Sequence, residues 1–197
     1  RIFELKDIIT MIKSCEVVKQ TIPNVKYLVY GDNTAVPEYT KECNDLIEKL
    51  GLQDNFILAG FHDQPHQLFA EGDVSILTSI SEGFPYTVLE SMSCGIPVVA
   101  TDAGGVTEAL DQNCGFICKP KDFEDIGNKI ITLLQDKELR TVMGANARQK
   151  VIDNFTIDKF IKAYENVYDR VVAKENKEIK IPVILPYSEE LETNKAS

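Results

Sequence analysis

Residues 81–101 read Ser-Glu-Gly-Phe-Pro-Tyr-Thr-Val-Leu-Glu-Ser-Met-Ser-Cys-Gly-Ile-Pro-Val-Val-Ala-Thr. This stretch sets two carboxylates, Glu82 and Glu90, around a glycine turn and the start of a helix, and it ends in an apolar run at 97–101 that is typical of a strand. Exposed amides at a helix N-terminus attract phosphate, and carboxylates accept hydrogen bonds from hydroxyl groups. The stretch therefore offers a way to hold a polyhydroxy ligand beside a phosphate.

Outward from this stretch, the chain alternates short apolar segments with segments of helical periodicity, which is the pattern of a parallel sheet with crossover helices. The predicted strands lie at 26–30, 55–58, 73–77, 97–101 and 115–117. The predicted helices lie at 5–20, 37–50, 65–70 and from Phe123 onward, with a last helix over about 156–172. We predict an α/β fold, a Rossmann-like parallel sheet with C-terminal helices, over 1–173. Residues 174–197 are predicted to be a flexible end or a docking strap.

Length, charge and hydropathy narrow the possible partners. The 197 residues suit one α/β domain of ordinary size. A net charge of -10, from 31 acidic and 21 basic residues, repels nucleic acid and anionic membranes at long range. No apolar run approaches the ~20 residues of a transmembrane helix, and the first residues lack the apolar core of a signal peptide. We expect no nucleic-acid partner, no transmembrane segment and a cytoplasmic location.

The cysteines and histidines do not form a metal-binding or disulfide pattern. Five cysteines are scattered along the chain, which predicts reduced, mostly buried thiols. His62 and His66 have i,i+4 spacing, but Pro65 between them disfavours one continuous helix. We predict no metal site.

The glycine-bearing turns that follow the predicted strands mark a common edge. They contain Gly31, Gly60, Gly83 and Gly104-Gly105. The carboxyl ends of parallel strands meet at one edge of the sheet, where ligands bind in open α/β folds. No Gly-x-Gly-x-x-Gly or Gly-x-x-x-x-Gly-Lys-Ser/Thr motif is present, which argues against dinucleotide dehydrogenases and P-loop enzymes.

The motif around Glu82 resembles a known family. The motif looks like the donor-binding half of a retaining GT-B glycosyltransferase of family 4. It consists of Glu82 and Glu90 separated by seven residues, a helix turn of small residues, Gly-x-Pro-Val-Val-Ala-Thr at 95–101 and the Gly-Gly turn. The patterns at 6–10, 30–32 and 37–39 further resemble the branch that includes the Pel exopolysaccharide glycosyltransferase. The resemblance implies one half of a GT-B fold, no cofactor or metal, and a nucleotide-diphosphate sugar, such as a UDP-sugar, as substrate. The acceptor would be a glycan or a lipid-linked molecule.

The resemblance also implies roles for particular residues. Glu82 would contact hydroxyls of the transferred sugar, and Lys6 and Arg1 would face the diphosphate; these three form the predicted catalytic set. Glu90 would hold the ribose. The predicted donor-binding set is Gly31, Phe61, His62, Gly83, Phe84, Tyr86, Thr87, Val88 and Glu90. Many family members have glycine where this chain has Pro85, which lacks an amide proton, so no phosphate contact is carried to it.

Each of these assignments has a structural alternative. Thr87 and Glu90 fit a capping box, in which Thr87 caps the helix and Glu90 bonds back to the Thr87 amide. Glu82 could be a solvated loop carboxylate, and Arg1, Lys6 and His62 could be ordinary surface residues.

At the level of function, the alternatives are a non-catalytic module that binds a nucleotide sugar or scaffolds a partner, and a GT-B-like sugar-nucleotide epimerase. The resemblance covers 1–172, and an N-terminal acceptor domain is absent from these residues. We expect the fragment to be inactive without that domain, and the full-length enzyme could associate peripherally with membranes.

Overall fold

The computed structural model describes residues 2–174. Arg1 and all but the first residue of the predicted tail, 174–197, lie outside them. The described residues form five strands, β1 (Tyr27–Tyr30), β2 (Phe56–Gly60), β3 (Ser75–Leu77), β4 (Val98–Thr101) and β5 (Gly115–Cys118). They also form eight α-helices, α1 (Ile8–Thr21), α2 (Pro37–Lys49), α3 (Pro65–Glu71), α4 (Tyr86–Ser93), α5 (Val106–Ala109), α6 (Phe123–Gln135), α7 (Lys137–Asn154) and α8 (Ile157–Lys174).

All paired strands are parallel, and helices connect them, so the predicted α/β architecture is confirmed. The strands hydrogen-bond as a two-stranded sheet, β1-β2, and a three-stranded sheet, β3-β4-β5. Tyr27 is in register with Phe56, and Val98 is in register with both Ser75 and Gly115. The sequence pattern predicted one parallel sheet, whereas the structure pairs the strands in two. Hydrophobic periodicity locates strands but does not specify which strands pair with each other.

A short segment at the start of the described chain connects the ends of the two sheets. The Ile2 amide donates to the Asp32 carbonyl just beyond β1, at 2.9 Å, and the Ile80 amide just beyond β3 donates to the Leu5 carbonyl at 2.8 Å. A 3-10 turn at Glu4–Lys6 leads into α1. Lys6 is thereby held at the carboxyl ends of the strands.

The core consists of two clusters of apolar side chains. In one, α1 packs against α6 so closely that a Cβ on Gly127 would lie 2.8 Å from the Val17 side chain. In the other, α4 packs against β4 and α7, with Val88, Met92 and Ala147 buried. β4 is buried along its whole length. Burial of each large apolar side chain contributes roughly 1.5–3 kcal/mol, so the helices fix the strand ends, and the loops that leave them, in place.

Four of the five cysteines are buried free thiols, which agrees with the prediction of reduced, mostly buried side chains. Cys94 is partly exposed. Burial raises the pKa of Cys15, Cys43 and Cys118 to about 12. It raises the pKa of the Cys114 thiol to about 11. These four side chains are therefore protonated at neutral pH and act as small apolar core residues.

The structure divides into two units between Thr156 and Ile157. In the described part of the second unit, α8 carries its apolar residues at helical spacing, and Ile157, Phe160, Tyr164 and Val171 are exposed. The Phe160 and Tyr164 rings lie 4.6 Å apart, one turn from each other. Among residues 2–174, no helix combines the length and the apolar composition that a membrane crossing requires.

Candidate functional site

The loop that carries Glu82 begins directly after β3 and packs against the Gly-Gly turn after β4. The Gly105 amide donates to the Gly83 carbonyl at 2.8 Å. Gly104 has φ +55, and a Cβ at that position would lie only 1.7 Å from the Glu82 carbonyl oxygen. A Cβ on Gly105 would lie 2.6 Å from the Gly83 oxygen. Only glycine permits this approach, so the Gly-Gly turn shapes the backbone that presents Glu82.

The predicted cation and the predicted sugar-binding carboxylate are in direct contact. Lys6 Nζ lies 2.6 Å from Glu82 Oε1, and Ser79 Oγ donates to the same oxygen at 2.6 Å. The Lys6 side chain is 31 % exposed and that of Glu82 is 13 % exposed. No described residue donates to Glu82 Oε2. Glu82 is therefore not a solvated loop carboxylate but a mostly buried one with one oxygen available to a ligand.

Buried hydroxyl groups hold the backbone on both sides of this pair. Thr78 Oγ1 donates to the carbonyls of Lys6, at 2.9 Å, and Asp7, at 3.0 Å. Thr101 Oγ1 at the end of β4 donates to the Ser79 carbonyl at 2.6 Å. Thr78, Ser79 and Thr101 are all 0 % exposed. Sequence reasoning missed these residues; the available signal was a Thr-Ser pair immediately after a predicted strand.

The start of α1 is fixed by Asp7, which has the left-handed backbone conformation at φ 47. Its carboxylate accepts hydrogen bonds from the Thr10 amide at 3.3 Å and the Thr10 hydroxyl at 2.7 Å, which caps the helix. The adjacent Lys6 is thus held next to a rigid helix N-terminus.

Helix α4 starts two residues earlier than the capping-box alternative requires. It begins at Tyr86, with Pro85 at the N-cap position and no side-chain cap. Thr87 is inside the first turn and exposed, and the Val88 amide donates to the Pro85 carbonyl at 3.1 Å. The capping-box alternative is therefore wrong, because Pro85 and not Thr87 occupies the N-cap position.

Glu90 remains available to a ligand. It is exposed, and no described residue bonds to its carboxylate; the Ser93 hydroxyl and the Cys94 amide both donate to its backbone oxygen. The amides of Tyr86 and Thr87 open the helix, where free N–H groups and the helix dipole favour an anion. Glu82 and Glu90 thus flank the N-terminal turn of α4.

Aromatic residues line the Glu82 loop. Phe84 is half-buried, with its ring 6.4 Å from that of Tyr86 and 5.8 Å from that of Phe155. Tyr86 is 70 % exposed and can meet a ligand. Val88, by contrast, is 1 % exposed and packs in the core, and its amide is already bonded. Nothing in the geometry therefore supports the place of Val88 in the donor-binding set.

The remaining predicted residues cluster at the ends of β1 and β2. The Gly31 amide donates to the Gly60 carbonyl at 2.8 Å, which joins the two strand ends. Phe61 follows β2 and is 79 % exposed, and the His62 ring lies 6.0 Å from the Tyr30 ring, edge to face. These residues form an exposed aromatic group at the same edge of the fold as the Lys6–Glu82 pair, connected to it through residues 2–6.

Neither of two other features of the described residues offers a matching site. Residues 2–174 contain no group of three or more His, Cys, Asp or Glu side chains arranged to bind a metal ion. A concavity of about 440 Å³ at α2 and β2 is lined by Asn44, Ile47, Glu48, Gln53, Phe56, Ile57 and Leu58. It has a single carboxylate and no cation, so its chemistry does not match that of the predicted ligand.

The whole stretch that contains this site matches a known family. Residues 1–150 match the family described as "Glycosyl transferases group 1". The chain belongs to this family. The group 1 glycosyltransferase chain is 32% identical over 146 residues to N-acetyl-alpha-D-glucosaminyl L-malate synthase of Bacillus anthracis, covering 74% of this chain and 37% of that protein. It spans between about a quarter and two fifths of the length of the first curated relatives it matches.

Solved structures of group 1 glycosyltransferases and related proteins share the fold. The Anabaena protein HepE in complex with UDP-glucose superimposes with a TM-score of 0.79 and 27% identity, over 88% of this chain and 47% of that one. The C-terminal domain of a group 1 family protein from Francisella tularensis gives 0.72 and 27%, over 80% of this chain and 83% of that one. The expected likeness to one half of a GT-B fold is thus confirmed, and the matching portion is a C-terminal domain in the Francisella protein.

Proposed function

We propose that this chain is the C-terminal, donor-binding domain of a retaining GT-B glycosyltransferase of family 4, within the branch that includes the Pel exopolysaccharide glycosyltransferase. The complete enzyme transfers a sugar from a nucleotide-diphosphate sugar, a UDP-sugar, to a glycan or lipid-linked acceptor. The observation that carries this proposal is the contact between Lys6 and Glu82 beside the uncapped start of α4, with Glu90 unpartnered among the described residues one helical turn on.

The arrangement provides a partner for each part of a nucleotide sugar. The diphosphate takes the Lys6 ammonium and the amides at the start of α4, which supply positive charge in a protein whose net charge is -10. Glu90 accepts hydrogen bonds from the ribose hydroxyls. Glu82 Oε2 accepts from hydroxyls of the transferred sugar. Arg1 supplies a second cation to the diphosphate, and Gly31, Phe61 and His62 meet the nucleobase.

The same residues would assist the reaction when the sugar leaves the diphosphate. Negative charge grows on the leaving phosphate as the bond breaks, and Lys6 and the helix amides stabilise that charge. A protein nucleophile is not expected, because Glu82 serves to bind the sugar. The site requires no metal ion.

The relatives support a UDP-sugar as donor and a second domain as partner. HepE is described in complex with UDP and with UDP-glucose. The curated relatives are more than twice the length of the matched region, which leaves room in them for an acceptor domain. We infer that transfer requires that domain and that the 197-residue chain binds the donor but is nearly inactive alone.

Titration calorimetry tests the donor site. The purified chain is titrated with UDP, and with GDP and ADP to test the choice of base. Glu90→Gln should weaken UDP binding about 10- to 100-fold, because it removes charged hydrogen bonds to the ribose. Glu138→Gln, a change at an exposed glutamate in the first turn of α7, is the matched control and should bind UDP like the wild type.

Four results would each contradict part of the proposal. Failure of all three diphosphates to bind, or equal UDP affinity in Glu90→Gln and Glu138→Gln, would remove the basis for a donor site at α4. Robust sugar transfer to added acceptors by the 197-residue chain would contradict the need for a second domain, and an epimerised nucleotide sugar as product would point to the epimerase alternative.

A further inference from the structure

Glu82 Oε1 is shared by two donors of different kinds. Lys6 Nζ, on a side chain that is 31 % exposed, reaches it at 2.6 Å, and the hydroxyl of the fully buried Ser79 reaches it at the same distance. A carboxylate oxygen has two lone pairs, so both bonds can exist together. The two donors differ in mobility: Lys6 has a long side chain that can turn toward a ligand, whereas Ser79 has a single rotatable bond.

Ser79 is itself fixed by the neighbouring strand. Its carbonyl accepts a hydrogen bond from Thr101 Oγ1 at 2.6 Å, and Thr101 is a buried residue of β4. The preceding residue, Thr78, is bonded to the carbonyls of Lys6 and Asp7. The hydroxyl of Ser79 therefore has a rigid position that does not depend on the side chain of Lys6.

We propose that Ser79 is a positioning residue that holds the Glu82 carboxylate toward the donor sugar while Lys6 turns from Glu82 to the diphosphate. This inference rests on the proposed function. Without Ser79, a Glu82 that loses Lys6 to the ligand has no remaining donor among the described residues. Its carboxylate is then free to rotate away from the sugar, and binding of the sugar weakens while binding of the diphosphate does not.

The test separates the sugar from the diphosphate. Calorimetry on the 197-residue chain measures UDP and a panel of UDP-glucose, UDP-galactose and their N-acetylamino counterparts. The readout is the ratio of the affinity for the best UDP-sugar to that for UDP. We expect Ser79→Ala to lower this ratio about tenfold, the effect of one lost hydrogen bond to a charged group, while UDP affinity changes less than about twofold. Thermal unfolding confirms that each variant is folded.

A double-mutant cycle distinguishes positioning from a structural role. If Ser79 acts through Glu82, Ser79→Ala has no further effect on the ratio in a Glu82→Ala background. An unchanged ratio in Ser79→Ala, or an equal loss in both backgrounds, contradicts the inference while leaving the donor site intact. If the wild type binds UDP, and binds no UDP-sugar more tightly than UDP, the result contradicts the sugar contact of Glu82 and therefore this inference. A wild type that binds no UDP contradicts the proposed function itself.

Discussion

At the scale of single residues, Gly104 fixes the backbone of the loop that carries Glu82. Its φ of +55 lies in the left-handed region, and the space where a Cβ would stand is filled by the Glu82 carbonyl oxygen. Gly51 provides a contrast, because it has φ +64 but nothing within 4 Å of its would-be Cβ. The two glycines therefore separate the cost of a left-handed backbone from the cost of a steric clash.

Gly104→Ala should destabilise the protein clearly more than Gly51→Ala. Both variants incur about 1–2 kcal/mol for the left-handed conformation, and Gly104→Ala must in addition displace the Glu82 loop. Urea unfolding of both variants measures the difference, and UDP affinity should fall in Gly104→Ala alone. Equal free energies of unfolding and equal UDP affinities for the two variants would show that the Gly-Gly turn does not hold the loop.

At the scale of elements, helix α7 approaches the turn after α4 through another glycine. A Cβ on Gly144 would lie 2.0 Å from the Gly95 carbonyl oxygen, although Gly144 is in the middle of a regular helix. Alanine is favoured over glycine within helices by roughly 1 kcal/mol. In Gly144→Ala, the steric cost of this close approach therefore opposes the higher helix propensity of alanine. The sign of the change in the free energy of unfolding shows which effect is larger.

We expect Gly144→Ala to destabilise the protein, because the clash is with backbone and cannot be relieved by rotating a side chain. Thr141→Ala, at an exposed position on the same helix, is the control and should be neutral or slightly stabilising, given the low helix propensity of threonine. Chemical denaturation of the two variants provides the comparison. A stabilised Gly144→Ala would mean that α7 and the Gly95 turn do not pack as described.

The elements themselves were largely predictable from the sequence, because apolar periodicity and the Pro and Gly positions are local signals. The start of α4 was not uniquely predictable: Thr87 and Glu90 satisfy a capping box equally well, and the true start at Tyr86 depends on a loop that rests on Gly104 and Gly105. Ser79 and Thr78 could not be assigned from the sequence, since Thr78 bonds to the backbone of residues 71 and 72 positions away. The contact of Lys6 with Glu82 likewise joins residues 76 positions apart, and only the resemblance suggested that both belong to one site.

At the scale of the whole molecule, buried thiols make the free energy of unfolding depend on pH. Cys15, Cys43 and Cys118 have pKa values raised to about 12 from an ordinary value of 9.0. In the unfolded chain these thiols ionise above pH 9, whereas in the folded protein they remain protonated until about pH 12. The unfolded state thus binds fewer protons in this range, and the free energy of unfolding falls as the pH rises.

We therefore expect the free energy of unfolding to decrease steeply between pH 9 and pH 11. Each thiol contributes up to about 1.4 kcal/mol per pH unit. Urea unfolding at pH 8, 9.5 and 10.5 measures the decrease, with Cys43→Ala as the matched variant. Cys43→Ala should begin less stable, because a buried side chain is truncated, and should lose less stability as the pH rises. Parallel curves for the two proteins would rule out a contribution from this thiol.

The central claim, that the nucleoside diphosphate of the donor binds between Lys6, Glu90 and the start of α4, is tested most directly by a crystal structure of the chain with UDP. The account predicts the ribose hydroxyls on the Glu90 carboxylate and the diphosphate within hydrogen-bond distance of Lys6 Nζ and the first amides of α4. UDP bound elsewhere, or bound here with Glu90 facing solvent and Lys6 still on Glu82, would contradict it.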